Sequence, residues 1–201
     1  MIAIVDYDMG NVASVANMLK RVGVSDVSLT RDPDVLSRAT KLILPGVGSF
    51  DRGMRNLAAL ELIQPLTNAV INRHVPVLGI CLGMHLLTRD SEEGKEQGLG
   101  WIQASTRRFP FRASQKIPHM GWNEVRASRD NPLLPLGESS RFYFVHSFYV
   151  QCDRDENVVA TTLYGDEFSS VIARDNVLGV QFHPEKSHRY GMALLRKFVE
   201  L

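Results

Sequence analysis

The chain has 201 residues, enough for one domain with a substantial core, and 44% of them are hydrophobic while 22% are charged. The 23 Lys and Arg residues nearly balance the 22 Asp and Glu residues, which argues against a nucleic-acid groove or a polybasic membrane patch. The longest nearly uncharged apolar run, residues 75–84, is too short to span a bilayer, and no basic segment of a signal peptide precedes the first apolar run. With only Cys81 and Cys152 there is no disulfide framework, so we expect a cytoplasmic protein.

Short apolar runs alternate with helical patterns in the first half of the chain. The predicted strands are residues 2–5, 27–30, 41–44 and 75–80, the third broken by Pro45-Gly46. The predicted helices are residues 12–22, a short turn or helix around Pro33, a stripe over 54–63 that kinks at Pro65, and a helix from about Leu82. This alternation predicts an α/β fold with a mostly parallel, doubly wound sheet and helices on both faces.

The second half of the chain contains several apolar runs with few helices between them. The predicted strands are residues 141–150, 158–163, 168–173 and 177–182. They predict an antiparallel extension of the sheet. A final helix over about residues 189–200 is expected to bury Met192, Leu195, Phe198 and Val199.

The sequence Gly79-Ile80-Cys81-Leu82-Gly83 lies between a predicted strand and a predicted helix, the context of a nucleophile elbow. A thiol held on such a turn lies near the positive end of the following helix, which favours the thiolate. The backbone N–H of Leu82 would then point at an oxyanion. For this motif alone, a buried structural cysteine is an equally good interpretation.

A second motif, His183-Pro184-Glu185, follows a predicted strand, and in a parallel sheet the strand ends meet at the edge where ligands bind. A carboxylate beside an imidazole holds the tautomer that leaves the other ring nitrogen free to act as a base. Taken with the elbow, Cys81, His183 and Glu185 have the chemistry of nucleophile, base and orienting group. On its own the motif would be an ordinary loop at a strand end.

A third motif, Pro45-Gly46-Val47-Gly48, can bring a backbone amide of Val47 or Gly48 close to the same site and complete an oxyanion hole, although a simple turn has the same spacing. The sequence has neither a Walker A nor a G-x-G-x-x-G fingerprint, so no nucleotide cofactor is predicted. The histidines and cysteines do not have a metal-ligand spacing, so no metal is predicted either.

With these three motifs the whole chain resembles the class I, triad-type glutamine amidotransferases. The segments 6–11, 118–123 and 143–147 are similar, more narrowly, to the glutaminase subunits of imidazole glycerol phosphate synthases. The resemblance covers essentially all of residues 1–201 and implies a single amidotransferase domain. Two positions depart from the family pattern, because His85 stands where a substrate-contacting glutamine is usual and Asp8 stands where glycine is usual.

The resemblance implies that Cys81 attacks the side-chain amide of L-glutamine, that His183 transfers protons and that Glu185 orients His183. It implies an oxyanion and substrate site formed by Gly46, Val47, Gly48, Leu82, His85 and Ser147. It also implies a heterodimer with a (β/α)₈-barrel cyclase subunit, which uses the ammonia to form imidazole glycerol phosphate and aminoimidazole carboxamide ribotide. The residues expected to face that partner are Asn11, Met120, Trp122, Tyr143 and Lys186.

The two departures leave a sister role open, in which the same glutaminase supplies ammonia to a sugar amidotransferase or cyclase-like partner in surface-polysaccharide synthesis. A stand-alone thiol hydrolase of the α/β-hydrolase type is a further alternative, but such enzymes place the acid before the histidine, whereas Glu185 follows His183. The intact set of Cys81, His183 and Glu185 argues against a non-catalytic scaffold.

Overall fold

The computed structural model describes residues 1–110, 116–137 and 139–201. The strands in chain order are β1 (Ile2–Val5), β2 (Val27–Thr30), β3 (Lys41–Gly46), β4 (Val77–Cys81), β5 (Asp90–Ser91), β6 (Ala104–Arg108), β7 (His119–Ala127), β8 (Ser139–His146), β9 (Phe148–Cys152), β10 (Val158–Tyr164), β11 (Asp166–Arg174) and β12 (Val177–Val180). The α-helices are α1 (Val12–Arg21), α2 (Pro33–Arg38), α3 (Phe50–Ala59), α4 (Ile63–Thr67), α5 (Leu82–Leu86) and α6 (His188–Glu200).

Within the described residues the strands form one 12-stranded sheet, whose main order is β2-β1-β3-β4-β12-β11-β10-β7-β8. Strands β2, β1, β3, β4 and β12 run parallel to one another. From β11 to β8 each neighbouring pair is antiparallel, and β9 joins β6 and β5 to the side of β11. The predicted α/β fold with an antiparallel extension in the second half is therefore confirmed.

The parallel half of the sheet separates two hydrophobic cores. Along β1, Ile2 and Ile4 point into one core with apolar residues of α1 and α6, whereas Ala3 and Val5 point into the other with residues of α2 and α3. Because helices cover both faces, β1 and β4 are apolar and buried along their whole length. The predicted helices on both faces are confirmed.

The helical stripe predicted over residues 54–63 is interrupted earlier than expected. Helix α3 ends at Ala59, Glu61 takes a positive φ of 55°, and α4 begins at Ile63. The predicted kink at Pro65 is wrong, because Pro65 lies in the first turn of α4, where its missing N–H has no intrahelical acceptor to lose. A π-helical turn at Asn68–Asn72 continues α4.

Several predicted strand boundaries are wrong at the sheet edge that carries the three motifs, and β4 itself spans Val77–Cys81 rather than residues 75–80. Strand β3 continues through Pro45 and Gly46, because β1 pairs only as far as Ile43 and leaves Pro45 with a strand neighbour on one side. The run over 141–150 is two strands, β8 and β9, separated at Ser147. Strand β12 ends at Val180, so residues 181–183 lie beyond it.

Strands β5, β6 and β7 were not predicted from the sequence. The final helix is longer than expected by one residue, and it buries Leu194, Leu195 and Phe198 while Met192 and Val199 are only partly buried. In the part of the chain that the structure describes, we find no helix with the length and apolar character needed to cross a membrane.

Candidate active site

Cys81 lies on the tight turn between β4 and α5, with φ 52° and ψ −108°. Such a backbone conformation costs a non-glycine residue about 1–3 kcal/mol. The flanking glycines allow the turn because a side chain would collide with backbone: a Cβ on Gly83 would lie 1.8 Å from the Leu44 carbonyl oxygen, and one on Gly79 would lie 2.7 Å from the Gly83 oxygen. Residues 79–83 therefore have the strand-turn-helix geometry of a nucleophile elbow.

His183 comes to the same edge from the neighbouring parallel strand. Strand β12 pairs with β4 with Val180 opposite Ile80, so Cys81 and His183 both follow the carboxyl ends of adjacent strands. Glu185 lies in the 3₁₀ turn Pro184–Lys186, and its Oε1 accepts a hydrogen bond of 2.8 Å from Nδ1 of His183. The two side chains are only 1% and 3% exposed.

The protonation state of His183 follows from its surroundings. Burial opposes the charged imidazolium, but the interactions with Cys81 and Glu185 outweigh it and raise the pKa of His183 to about 10. The hydrogen bond to Glu185 uses Nδ1, which leaves Nε2 for the interaction with Cys81. A protonated Nε2 is thus free to give its proton to a group bound next to the Cys81 sulfur.

A cavity of about 300 Å³ opens onto Cys81 and His183. The predicted site residues that line it are Val47, Gly48, Leu82, His85 and Ser147. Gly46 is not on the wall but behind it, where a Cβ would lie 2.7 Å from the Tyr7 hydroxyl oxygen, so its lack of a side chain lets β3 approach the elbow.

Sequence reasoning missed several residues of the cavity wall. Glu93, Pro118, Val145, His146 and Phe148 also line it. Glu93 Oε2 accepts a hydrogen bond of 2.9 Å from the backbone N–H of Phe50 at the start of α3, and burial raises the pKa of this carboxyl group. The local sequence around Glu93 does not identify it as a site residue, because its partner Phe50 is 43 residues away in the sequence.

Three buried histidines near the cavity are held neutral. Burial lowers the pKa of His85 and of His119 to about 4, and it lowers the pKa of His146 well below its usual value. His119 Nδ1 lies 2.9 Å from His146 Nε2, and His146 Nδ1 donates to the Phe148 carbonyl oxygen at 2.7 Å. This chain of hydrogen bonds fixes the wall between β8 and β9.

Of the residues expected to face a partner, four are exposed and Tyr143 is partly buried. Met120 and Trp122, both on β7, are 62% and 39% exposed. The Trp122 ring is 6.4 Å from the Tyr143 ring, and Nζ of Lys186 is 5.8 Å from the centre of the Tyr143 ring. Asn11 has a structural task as well, because its Oδ1 accepts from the backbone N–H of Ser14 and so caps α1.

Asp8, the second departure from the family pattern, forms an ion pair with an arginine that directly follows β2. Nη2 of Arg31 lies 2.8 Å from Asp8 Oδ1 and 2.8 Å from Asp6 Oδ2. Asp8 takes a positive φ of 60°, a conformation that favours glycine and that Asp tolerates better than most residues. This explains in physical terms why glycine suits this position.

The second cysteine has different chemistry from the first. Cys152 is half-buried at the end of β9, and burial together with Asp153 and Asp155 raises the pKa of its thiol to about 12. Its thiolate is therefore disfavoured at neutral pH. Among the residues described, no three His, Cys, Asp or Glu side chains come together in an arrangement that could hold a metal ion.

A strained cysteine on an elbow, faced by a histidine and a glutamate from the next parallel strand, is the arrangement of a triad-type amidotransferase. The family model described as glutamine amidotransferase class-I matches residues 3–201, and the chain belongs to this family. A solved structure described as a glutamine amidotransferase superimposes with a TM-score of 0.78 at 21% identity, covering 100% of this chain and 98% of that one. At that identity the likeness shows the fold alone.

Three similar curated proteins carry the name of an imidazole glycerol phosphate synthase subunit. The chain is 56% identical over 201 residues to "Imidazole glycerol phosphate synthase subunit HisH 2" of Methanococcus maripaludis, covering 100% of this chain and 99% of that protein. It is 49% identical over 202 residues to the subunit HisH 2 of Pseudomonas aeruginosa, with 100% of both chains covered. A subunit HisH of Leptospira interrogans is 45% identical over 205 residues, again with 100% of both chains covered.

Proposed function

We propose that this chain is the glutaminase subunit of an imidazole glycerol phosphate synthase. It hydrolyses L-glutamine to glutamate and ammonia and passes the ammonia to a (β/α)₈-barrel cyclase subunit in a cytoplasmic heterodimer, with residues 1–201 acting as one domain. The observation that carries this proposal is the buried set of Cys81, His183 and Glu185, of which Cys81 and His183 line the cavity. The full-length identity to the HisH subunits supports the choice of acceptor.

The proposed reaction begins with Cys81 as a thiolate. Its sulfur attacks the side-chain amide carbon of glutamine, and the imidazolium of His183 protonates the leaving ammonia. Water then attacks the thioester carbon, His183 accepts a proton from that water, and glutamate leaves as Cys81 is regenerated. Glu185 remains ionised and holds His183 in position through its hydrogen bond of 2.8 Å.

The transition states of both steps carry negative charge on the former amide oxygen. The backbone N–H of Leu82, at the start of α5, and an N–H from Val47 or Gly48 are the proposed donors to it. Val47 and Gly48 line the cavity on the side of β3, and Gly48 has a φ of +122°. No cofactor is needed for this chemistry.

The cavity also has a group suited to the amino-acid end of glutamine. Among the described residues that line it, Glu93 supplies the only carboxylate, and the α-ammonium group of glutamine requires a negative partner. The Phe50 N–H holds one oxygen of Glu93, which leaves the other for the substrate. The cavity of about 300 Å³ is at the lower end of the size range for small-ligand sites.

The partner is proposed to bind over Met120, Trp122, Tyr143 and Lys186, next to α1 with Asn11 at its start. Met120 and Trp122 are large exposed apolar side chains, and aromatic residues and Met are enriched where proteins bind one another. Bound there, a barrel would lie at the strand edge that carries the active site. Ammonia released at Cys81 could then enter the cyclase without crossing bulk water.

The experiment that tests the chemistry compares glutamine with ammonium salts in the complex with the cyclase from the same source. Cys81→Ala should abolish glutamate formation, preserve binding of the cyclase, and preserve synthase turnover when ammonium replaces glutamine. Cys152→Ala is the matched control and should retain glutaminase activity. Glutamate formation near the normal rate in Cys81→Ala would refute the proposed nucleophile.

The acceptor is tested in a strain that lacks its own histidine-pathway glutaminase. Growth without histidine, when this chain is expressed with its own cyclase, supports the proposal. The alternative acceptor in polysaccharide synthesis is not favoured by the relatives, which carry the name of the histidine-pathway enzyme. Absence of growth together with stable binding to a sugar-modifying amidotransferase would overturn the assignment of the acceptor but not that of the triad.

A further inference from the structure

Two buried polar side chains outside the triad connect to the Cys81 sulfur. Gln181 is fully buried just after β12, and His85 is 5% exposed in α5. His85 Nε2 lies 2.8 Å from Gln181 Oε1, and Gln181 Nε2 lies 3.9 Å from Sγ of Cys81. The three residues therefore form a continuous polar chain that ends on the nucleophile.

The chemistry of the groups determines which of them donates and which accepts in each of these hydrogen bonds. A carbonyl oxygen only accepts hydrogen bonds, so Oε1 of Gln181 requires that His85 carry its proton on Nε2. Burial holds His85 neutral, with a pKa lowered to about 4, and a neutral imidazole has a single N–H to give. With its oxygen held by His85, the Gln181 amide must turn its N–H groups toward Cys81.

We propose that His85 is a positioning residue that locks the Gln181 side-chain amide with its N–H toward Cys81, so that Gln181 donates a hydrogen bond to the attacking thiolate. The proposal rests on the proposed function insofar as Cys81 is the nucleophile. In this proposal His85 acts on the nucleophile through Gln181, whereas the glutamine that is usual at this position in the family contacts the substrate.

The surroundings of Cys81 explain why such a donor is needed. The Val145 carbonyl oxygen lies 4.0 Å from Sγ, and a carbonyl oxygen cannot donate a hydrogen bond to the sulfur. Tyr7, two residues beyond the end of β1, is a titratable neighbour of Cys81, but its hydroxyl donates to the Pro45 carbonyl oxygen at 2.7 Å and is not available to the sulfur.

Two histidines, His183 and His146, line the same cavity as Cys81. His183 from the β12 side is charged and must give its proton away during the reaction. His146 from β8 is neutral and already donates to the Phe148 carbonyl oxygen. Gln181 is therefore the neutral donor that can stay on the sulfur throughout catalysis.

The test measures the nucleophile without using glutamine. Iodoacetamide alkylates the thiolate, which forms the carbon–sulfur bond and displaces iodide, so the alkylation rate as a function of pH reports the thiolate population. The background carries Cys152→Ala so that Cys81 is the remaining thiol. Gln181→Leu and His85→Phe are each compared with Gln151→Leu, a matched change at an exposed position of β9.

We expect Gln181→Leu and His85→Phe each to slow alkylation at neutral pH about tenfold and to move its midpoint to higher pH, because a hydrogen bond to a charged atom is lost. The double variant should be no slower than either single variant, since both remove the same contact. His85→Gln keeps an N–H donor and should restore the rate, and Gln151→Leu should leave it unchanged.

The opposite results are equally specific. If His85→Phe raises the KM for glutamine and leaves alkylation unchanged, or if the two effects multiply in the double variant, the proposal is overturned. A measurement on the unaltered protein does not depend on the folding of variants. Nitrogen NMR should find the proton of His85 on Nε2. A proton on Nδ1 would show that His85 does not donate to Gln181 and would refute the proposal. Failure of Cys81 as the glutaminase nucleophile would show instead in the Cys81→Ala turnover experiment.

Discussion

Replacing Glu185 with glutamine isolates the contribution of one negative charge to the site. Its Oε1 accepts from His183 Nδ1 at 2.8 Å, and both side chains are almost completely buried. Glutamine has nearly the same shape and can still accept a hydrogen bond at this position. The substitution therefore removes the charge that faces the imidazolium and leaves no cavity.

The size of the effect follows from burial. A hydrogen bond to a charged group is worth about 1.5–3 kcal/mol, so Glu185→Gln should lower kcat/KM for glutamine by about ten- to hundredfold. The sign of the pH effect is also defined. Glu185 helps to raise the pKa of His183 to about 10, so without its charge His183 loses its proton at lower pH. The alkaline limb of the activity profile should move to lower pH.

The assay is glutamate formation by the complex with its cyclase, measured as a function of pH. Glu156→Gln is the matched control, because Glu156 forms an exposed ion pair with Arg154 and its charge should have little effect. His183→Asn should be more damaging than Glu185→Gln, since it removes the group that transfers protons. An unchanged alkaline limb in Glu185→Gln, or a larger loss than in His183→Asn, would refute the reasoning.

Three further predictions concern packing, partner binding and acid stability. Gly83→Ala should destabilise the fold by about 3 kcal/mol in denaturant titrations, because the new Cβ would lie 1.8 Å from the Leu44 carbonyl oxygen. Trp122→Ala should weaken cyclase binding by about 2 kcal/mol in calorimetry while the alkylation rate of the nucleophile stays unchanged. The pKa values of His85 and His119 are lowered to about 4 in the fold, so the unfolded chain binds more protons below pH 6.5 and stability is lost as the pH falls. At about pH 5 each should contribute about 2 kcal/mol of destabilisation, visible as a falling Tm that His119→Asn makes less steep.

The parallel half of the fold could be predicted because burial on both faces makes its strands uniformly apolar. β1 and β4 are buried at every position and give continuous apolar runs. β7 could not be recognised in this way, because only some of its residues are buried and its sequence includes the polar residues His119 and Asn123. The prediction ended β3 before Pro45 because proline cannot donate a hydrogen bond within a sheet. Pro45 is tolerated because the strand has a neighbour on only one side there.

The site residues that the sequence predicts lie in short local motifs, whereas those it misses depend on contacts between distant parts of the sequence. The triad could be proposed from two short motifs, since the elbow and the His-Pro-Glu turn each place their chemistry within a few residues. Glu93 and the link between His85 and Gln181 could not, because their contacts span 43 and 96 residues. Only the register of the sheet brings such residues together.

That register is fixed by the same packing that strains Cys81. Gly79 and Gly179 face each other on β4 and β12, and a Cβ on Gly179 would lie 2.8 Å from Met84 Cγ of α5. Because neither glycine has a side chain, the start of α5 can pack against this part of the sheet. A shift of the pairing between β4 and β12 by one residue would place a side chain where that helix lies. The same shift would turn Gln181 and Phe182 each to the opposite face of the sheet. Phe182 would then lose its place in the core, where the centre of its ring lies 3.8 Å from that of Phe142. The close approach of α5 thus determines which residue after β12 meets the sulfur.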